Sequence, residues 1–391
     1  MRIWKEHLAP RKHILAAAAL GLAAAAAALY IAYTVGQYAT ELTPDEANYI
    51  AAARRLVDEH VYSYWGEGPD AYVSPGYPLF LALCYSLFGA GPDLVWARVL
   101  QCLMAGGTAA MTVLLGRAIT GRSGAGIIAG LLVLCNGGYY FLSRLMLTET
   151  LYFFLMLLSF LLLLWAEGRG TPFAFALAGL AFGCAVMVRS LVVIMLPFLA
   201  LPRLLRRHRD RSVPLLPLLW FFLGFLLPCL PWWLRNLLSL HRLIFWASQT
   251  NPVFGGLNEN PVGMGYRDPG TYWGNFKLFI EFIRNDPKGM LSWMTLEKFR
   301  IIFLSDVVMP EAAITDTARN MCFSLGICGA SLALVPRRTR LYALPFWAYL
   351  LPMVVSVPSF RYAYQYLLLL AVFSGWLLVS AWDAIRSKEQ Q

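Results

Sequence analysis

Long apolar runs bounded by charge recur along the chain, and they predict an all-α polytopic membrane bundle. A helix needs about 20 apolar residues to cross a hydrocarbon core of roughly 30 Å. Ten runs approach that length: 14–34, 95–116, 123–142, 150–165, 172–188, 190–202, 213–234, 320–336, 341–357 and 364–382. Two connections between them are much longer than the rest, residues 35–94 and about 235–319. Both carry helical patterning of their own. In the second, Trp273, Phe276, Phe279, Ile280 and Ile283 fall on one helical face, and Asp286 before Pro287 has the form of a cap and first-turn residue. Juxtamembrane amphipathic helices are expected there, within a single transmembrane domain spanning residues 1–391.

Composition strengthens this reading, since 59% of the 391 residues are hydrophobic and only 14% are charged. Charge then orients the bundle. With both termini on the cytoplasmic side, the cytoplasmic segments 1–13, 117–122, 166–171, 203–212, 337–340 and 383–391 hold 17 of the 32 Lys and Arg and five acids. The opposite face holds 15 basic and 17 acidic residues, so the net charge of +10 is a topology signal and implies no nucleic-acid partner. Run 14–34 follows Arg2, Lys5, Arg11 and Lys12 but is too long for a signal peptide, which predicts an uncleaved anchor. The apolar stretch Pro75 to Gly89 is too short to span and is expected at the outer interface. Seven cysteines lie in apolar segments without metal-type spacing, which predicts no disulfide framework.

Candidate chemistry concentrates at the outer ends of the runs. Thr43-Pro44-Asp45-Glu46 reads first as a helix start, with Thr43 as N-cap, Pro44 at N1 and Glu46 closing a capping box. The box needs Glu46 and leaves Asp45 the freer carboxylate, so Asp45 is the first of the two acids to test, with Glu46 as its alternate. Arg144 and Glu149 share a short outward turn, where the plain reading is an interfacial ion pair and the sharper one is a second acid in a shared site. Arg189, Arg235 and Arg361 also sit at outer ends. Singly each is an interface anchor; jointly with Arg144 they could hold a lipid phosphate through permanently charged, bidentate contacts. No phosphate-binding G-x-x-x-x-G-K-[ST] loop and no HExxH motif occurs, which leaves no nucleotide domain and no zinc protease. The runs carry no interior Asp or Glu, which argues against an ion-coupled transporter.

In order along the chain, "DEANYIAAARRL", "SPGYPLFLALCYSLFG", "LTETLYF", "LPWWLRN", "GGLNEN", "IRNDP" and "FRYAYQY" resemble the motifs of the GT-C membrane glycosyltransferases. The resemblance is to the bacterial branch related to dolichyl-phosphate-mannose protein mannosyltransferases and the lipid A aminoarabinose transferase. It implies a GT-C-like helical bundle that moves a sugar, with inversion, from a polyprenyl-phosphate donor to an acceptor in the cell envelope on the extracytoplasmic face. By that resemblance Asp45 is the base, Glu149 orients a substrate, and Arg361 flanked by Tyr362 contacts the phosphate. Tyr77 of the proline-rich element joins Arg144, Arg189 and Arg235 as a substrate-binding candidate. The aminoarabinose transferase pattern has an acid and a lysine before a Pro-Pro pair where this chain has "YVSPGYP". An expected metal ligand is thereby missing, so no cofactor and no zinc are expected, and dependence on another divalent metal stays open. The expected partners are a lipid-linked sugar, membrane lipids and an acceptor of unspecified class. A lipid-carrier flippase is the competing reading.

Overall fold

The computed structural model describes residues 12–34, 42–89, 94–199, 216–304 and 313–389. The basic stretch 203–212, expected on the cytoplasmic side, the first eleven residues and parts of both long loops lie outside the described residues. Those described form helices and connecting turns, with no strand among them. In chain order the helices are α1 (Lys12–Thr34), α2 (Pro44–Asp58), α3 (Gly76–Phe88), α4 (Val95–Thr120), α5 (Ser123–Leu134), α6 (Gly137–Arg144), α7 (Glu149–Arg169) and α8 (Pro172–Val188). After a 3-10 turn at Ser190–Ile194 come α9 (Leu216–Leu240), α10 (Tyr272–Asn285), α11 (Pro287–Ser292), α12 (Ala313–Leu332), α13 (Arg337–Val355) and α14 (Phe360–Glu389). A four-residue helix, Asn251–Phe254, precedes α10.

The chain is a multi-pass membrane protein. Every predicted run overlaps a helix, but the tally of ten spans is not reproduced. Among the described residues, α1, α4, α7, α9 and residues 361–389 of α14 are long and apolar enough to cross a bilayer, and α5 with α6 makes a sixth if counted as one. Run 123–142 is broken: α5 and α6 meet at 60° around Cys135 and Asn136. Run 172–188 is a 17-residue helix, and run 190–202 appears only as a short helix over Ser190–Leu199.

Glycines let the spans approach closely, as expected where helices pack by van der Waals contact rather than by excluding water. A Cβ on Gly179 of α8 would strike the Phe221 carbonyl of α9, and one on Gly224 of α9 would strike the Ala176 carbonyl of α8. α8 and α9 form the most extensive helix pair in the fold. Gly179→Leu is therefore expected to separate them and destabilise the protein by about 1–3 kcal/mol, seen as a lower thermal midpoint in detergent.

In the first long loop the predicted capping box forms. Thr43 accepts from the Glu46 backbone N–H and the Glu46 carboxylate accepts from the Thr43 N–H, completing the capping box of α2. α3 packs on α2 and touches α8, with Gly76 seated so tightly that a Cβ would lie 2.7 Å from the Met187 carbonyl oxygen. The second long loop is helical where the pattern predicts it. Asp286 caps α11 by accepting from the Gly289 N–H at 2.9 Å, as expected. The fully buried residues of α10 are Asn275 and Phe282, while of the predicted apolar face Trp273 and Phe276 are exposed and stack on each other and Phe279 and Ile283 pack on a small core. The Asn275 side-chain amide donates to Thr250 O and to Asp268 Oδ1, each at 3.4 Å. Phe282 joins Phe254, Leu257, Met290, Trp293 and Met294 in that core, which is separate from the main one.

Candidate active site

Four helix ends converge at one end of the bundle. Asp45 lies in the first turn of α2, Glu149 is the first residue of α7, Arg189 ends α8, and Arg361 and Tyr362 open α14. Their charges alternate along a chain of contacts. Arg189 Nη2 donates to Glu149 Oε1 at 2.7 Å, Arg361 Nη1 stands 4.0 Å from that same oxygen, and Arg361 Nη2 stands 3.6 Å from Asp45 Oδ2. The Tyr362 ring lies 4.9 Å under the Arg189 guanidinium. Five residues singled out in the sequence thus form one constellation, although they are scattered over more than three hundred positions.

The two acids are in contrasting environments. The Glu149 side chain is 1% exposed and locked by Arg189, which also donates through Nε to Thr148 Oγ1 at 2.8 Å. The Asp45 side chain is 54% exposed. The Tyr64 hydroxyl also donates to its Oδ1 at 3.4 Å. Burial first, and the Asp45 charge next, push the Tyr64 phenol up to about 12, so it stays protonated and donating at neutral pH. Tyr49, one turn after Asp45 on α2, packs edge-on to Tyr64 and Tyr77, and burial raises its phenol as well. Both acids occupy first turns of helices, where the backbone dipoles favour negative charge.

Four other candidates have different roles. Glu46 is 4% exposed, and both its oxygens are taken: Oε2 accepts from Thr43 N at 3.0 Å and Oε1 from Met146 N at 2.9 Å. It ties α2 to the turn that delivers Glu149 and is a positioning residue, with no oxygen left for a substrate proton. Glu46→Ala is expected to lower unfolding stability by about 1–3 kcal/mol through the lost cap and the orphaned Met146 N–H, as chemical denaturation would measure. Tyr77 is fully buried and donates to Gln101 Oε1 at 2.7 Å, so it supports the site from below. Arg235 donates to the carbonyls of Asp70 at 2.6 Å and Tyr62 at 2.7 Å, holding the loop between α2 and α3. The Arg144 guanidinium rests 4.9 Å over the Phe141 ring.

Below this end of the bundle, an apolar cavity of about 520 Å³ runs along α3, α7, α8 and α9. Leu79, Phe80, Leu155 and Pro228 are among its walls, and Leu151 and Val188 are near neighbours in sequence of Glu149 and Arg189. Among the described residues, no three His, Cys, Asp or Glu side chains are grouped to hold a metal ion.

Residues 79–245 match the family of dolichyl-phosphate-mannose-protein mannosyltransferases. Over that segment the match agrees with the resemblance read from the motifs. It contains Glu149 and Arg189, while Asp45 and Arg361 lie outside it, on either side. No curated protein matches the chain. Similar solved structures include two of ArnT from Cupriavidus metallidurans. The one bound to undecaprenyl phosphate is 14% identical, with a TM-score of 0.46, and the likeness covers 90% of this chain and 76% of that one. The apo form is 17% identical, with a TM-score of 0.37, over 86% and 73%. At those values the likeness says nothing of what this chain binds.

Proposed function

We propose that the chain transfers a sugar from a polyprenyl-phosphate donor to a hydroxyl acceptor on the extracytoplasmic face of a cell membrane. The observation that carries this reading is Arg361, a half-buried cation shared loosely between Asp45 at 3.6 Å and Glu149 at 4.0 Å. Neither distance is that of a tight charge-assisted bond, which runs about 2.7–2.9 Å. A donor phosphate meets a guanidinium whose hydrogen-bonding capacity is not used up. On binding it draws Arg361 from Asp45 and leaves that carboxylate free, while Arg189 and Glu149 keep the floor of the site fixed. The apolar cavity beside α7 and α8 supplies a bed for the prenyl chain.

The chemistry follows from the two charges. The acceptor oxygen bonds to the anomeric carbon as the bond from that carbon to the phosphate oxygen breaks. The electron pair leaves with the polyprenyl phosphate, whose charge Arg361 stabilises in place. The acceptor proton passes to Asp45, the one exposed carboxylate of the constellation.

The test uses purified full-length protein in nanodiscs, with undecaprenyl-phosphate mannose, glucose and arabinose as donors and extracted envelope lipid as acceptor source. Mass spectrometry is expected to find donor loss matched by undecaprenyl phosphate and by one species heavier by a sugar. Donor that stays intact, yet crosses the bilayer of proteoliposomes with its sugar attached, would instead make the protein a carrier.

A further inference from the structure

Beside Asp45 stands an exposed aromatic wall that the reaction as described does not use. Trp65 is 53% exposed. Its ring meets Tyr64 edge-on at 5.1 Å and Tyr72 at 5.0 Å, and Tyr64 and Tyr72 stack at 5.5 Å. Tyr64 is also the residue that donates to Asp45, so the wall and the base are joined by one side chain.

The loop holding this wall is unusually well fixed. The Asp70 carboxylate accepts from the backbone N–H groups of Tyr64 at 2.7 Å, Trp65 at 3.2 Å and Tyr72 at 3.0 Å. From outside the loop, Arg55 donates to the carbonyls of Ser63 and Tyr64, and Arg235 to those of Tyr62 and Asp70. The second long loop adds a strap, with the Ser248 and Gln249 N–H groups donating to Ala71 O and Tyr72 O. It also brings Asp268 near enough that its charge, like that of Asp45, acts on the Tyr72 phenol. A flat, rigid, half-exposed indole is therefore bordered by phenols and carboxylates.

We infer that Trp65, backed by Tyr64 and Tyr72, is the platform on which a pyranose ring of the acceptor stacks, so that the acceptor is itself a saccharide. The inference rests on the transfer reading above for the word acceptor, but the binding it asserts stands alone. A pyranose has a face of C–H bonds that packs on an aromatic plane and a rim of hydroxyls. Those hydroxyls need the acceptors and donors that Asp45 and Tyr64 present. A peptide hydroxyl has no such face, and a hydrocarbon chain has no use for carboxylates at its edge. A membrane-interface tryptophan needs only headgroups, not a loop pinned from within by a carboxylate and from outside by two arginines.

The test reads binding without donor or turnover, so its outcome is separate from that of the transfer assay. The full chain is labelled with 5-fluorotryptophan in nanodiscs, and Trp65→Phe assigns the Trp65 resonance in the fluorine spectrum. Methyl mannopyranoside, glucopyranoside and galactopyranoside are titrated, together with their octyl glycosides. At least one pyranoside is expected to shift that resonance saturably. Radiolabelled binding of the same sugar should weaken about tenfold in Trp65→Leu and recover in Trp65→Tyr. Tighter binding of the octyl glycoside identifies a glycolipid acceptor, and equal binding a glycan without lipid. A resonance that no pyranoside moves, or that responds only to spin-labelled lipid, would overturn the inference and make Trp65 a headgroup anchor. A saccharide that binds to a protein with no donor turnover would leave this platform standing and remove the transferase reading.

Discussion

Asp45→Asn is expected to lower the rate of sugar transfer by about 10²–10⁴-fold, the usual contribution of a positioned general base. The amide keeps the shape and the contact with Tyr64 but cannot take the acceptor proton. Stability should hardly change: the Asp45 side chain is 54% exposed and its nearest cation is 3.6 Å away, a setting in which an ion pair contributes about 1 kcal/mol or less. Thermal unfolding in detergent measured beside the transfer rate separates the two effects. A variant that turns over normally would remove Asp45 from the mechanism, and one that also unfolds would make it structural.

Glu149→Gln should show the opposite balance. Arg189 Nη2 lies 2.7 Å from Glu149 Oε1, with side-chain exposures of 16% and 1%. Deleting one charge leaves the other poorly solvated and unpaired, which typically costs about 3–5 kcal/mol. A large fall in the thermal midpoint is expected together with loss of transfer. The double variant Glu149→Leu, Arg189→Met removes both charges and should regain much of the stability without regaining activity. That non-additivity is the signature of a coupled pair. If the single and double variants were equally stable, the pair would hold nothing together.

The contrast between the acids also explains what could be read in the sequence. Asp45, Glu149, Arg189 and Arg361 stand out because charge at the end of an apolar run is conspicuous, and the alternation of spans brings such ends to one side; Tyr362 enters only through the motif resemblance. The same rule also picks out Arg235 and Arg144, of which Arg235 binds loop carbonyls and lines the apolar cavity, and Arg144 rests on a neighbouring ring. Glu46 belonged to the capping box from the outset, but its second oxygen is taken by Met146, a residue one hundred positions away, and no local pattern contains that contact. Tyr49 could have been found, because it stands one helical turn from Asp45 and so shares its face. Tyr64 could not, as its approach to Asp45 depends on a loop folded around Asp70 and clamped by Arg235 from another helix.

For the fold, apolar length placed the helices well and their ends less well. The break between α5 and α6 falls at Cys135 and Asn136, where Asn136-Gly137-Gly138 interrupts the apolar run with a turn-forming triplet that a search for apolar length passes over. On α10 the exposed Trp273 and Phe276 lie on the apolar face that the spacing gives, as suits a membrane surface, whereas the inward place of Asn275, held by Thr250 and Asp268, is not marked by hydropathy.

The central claim is a single displacement, with Asp45 on the acceptor side and an arginine-held phosphate leaving on the other. The anomeric configuration of the product tests it most directly. Glu149 and Glu46 are both engaged, so no second free carboxylate stands in the constellation to form a covalent sugar intermediate. Proton NMR of the product formed from a donor of known anomeric configuration should therefore show inversion. Retention of configuration would contradict the account.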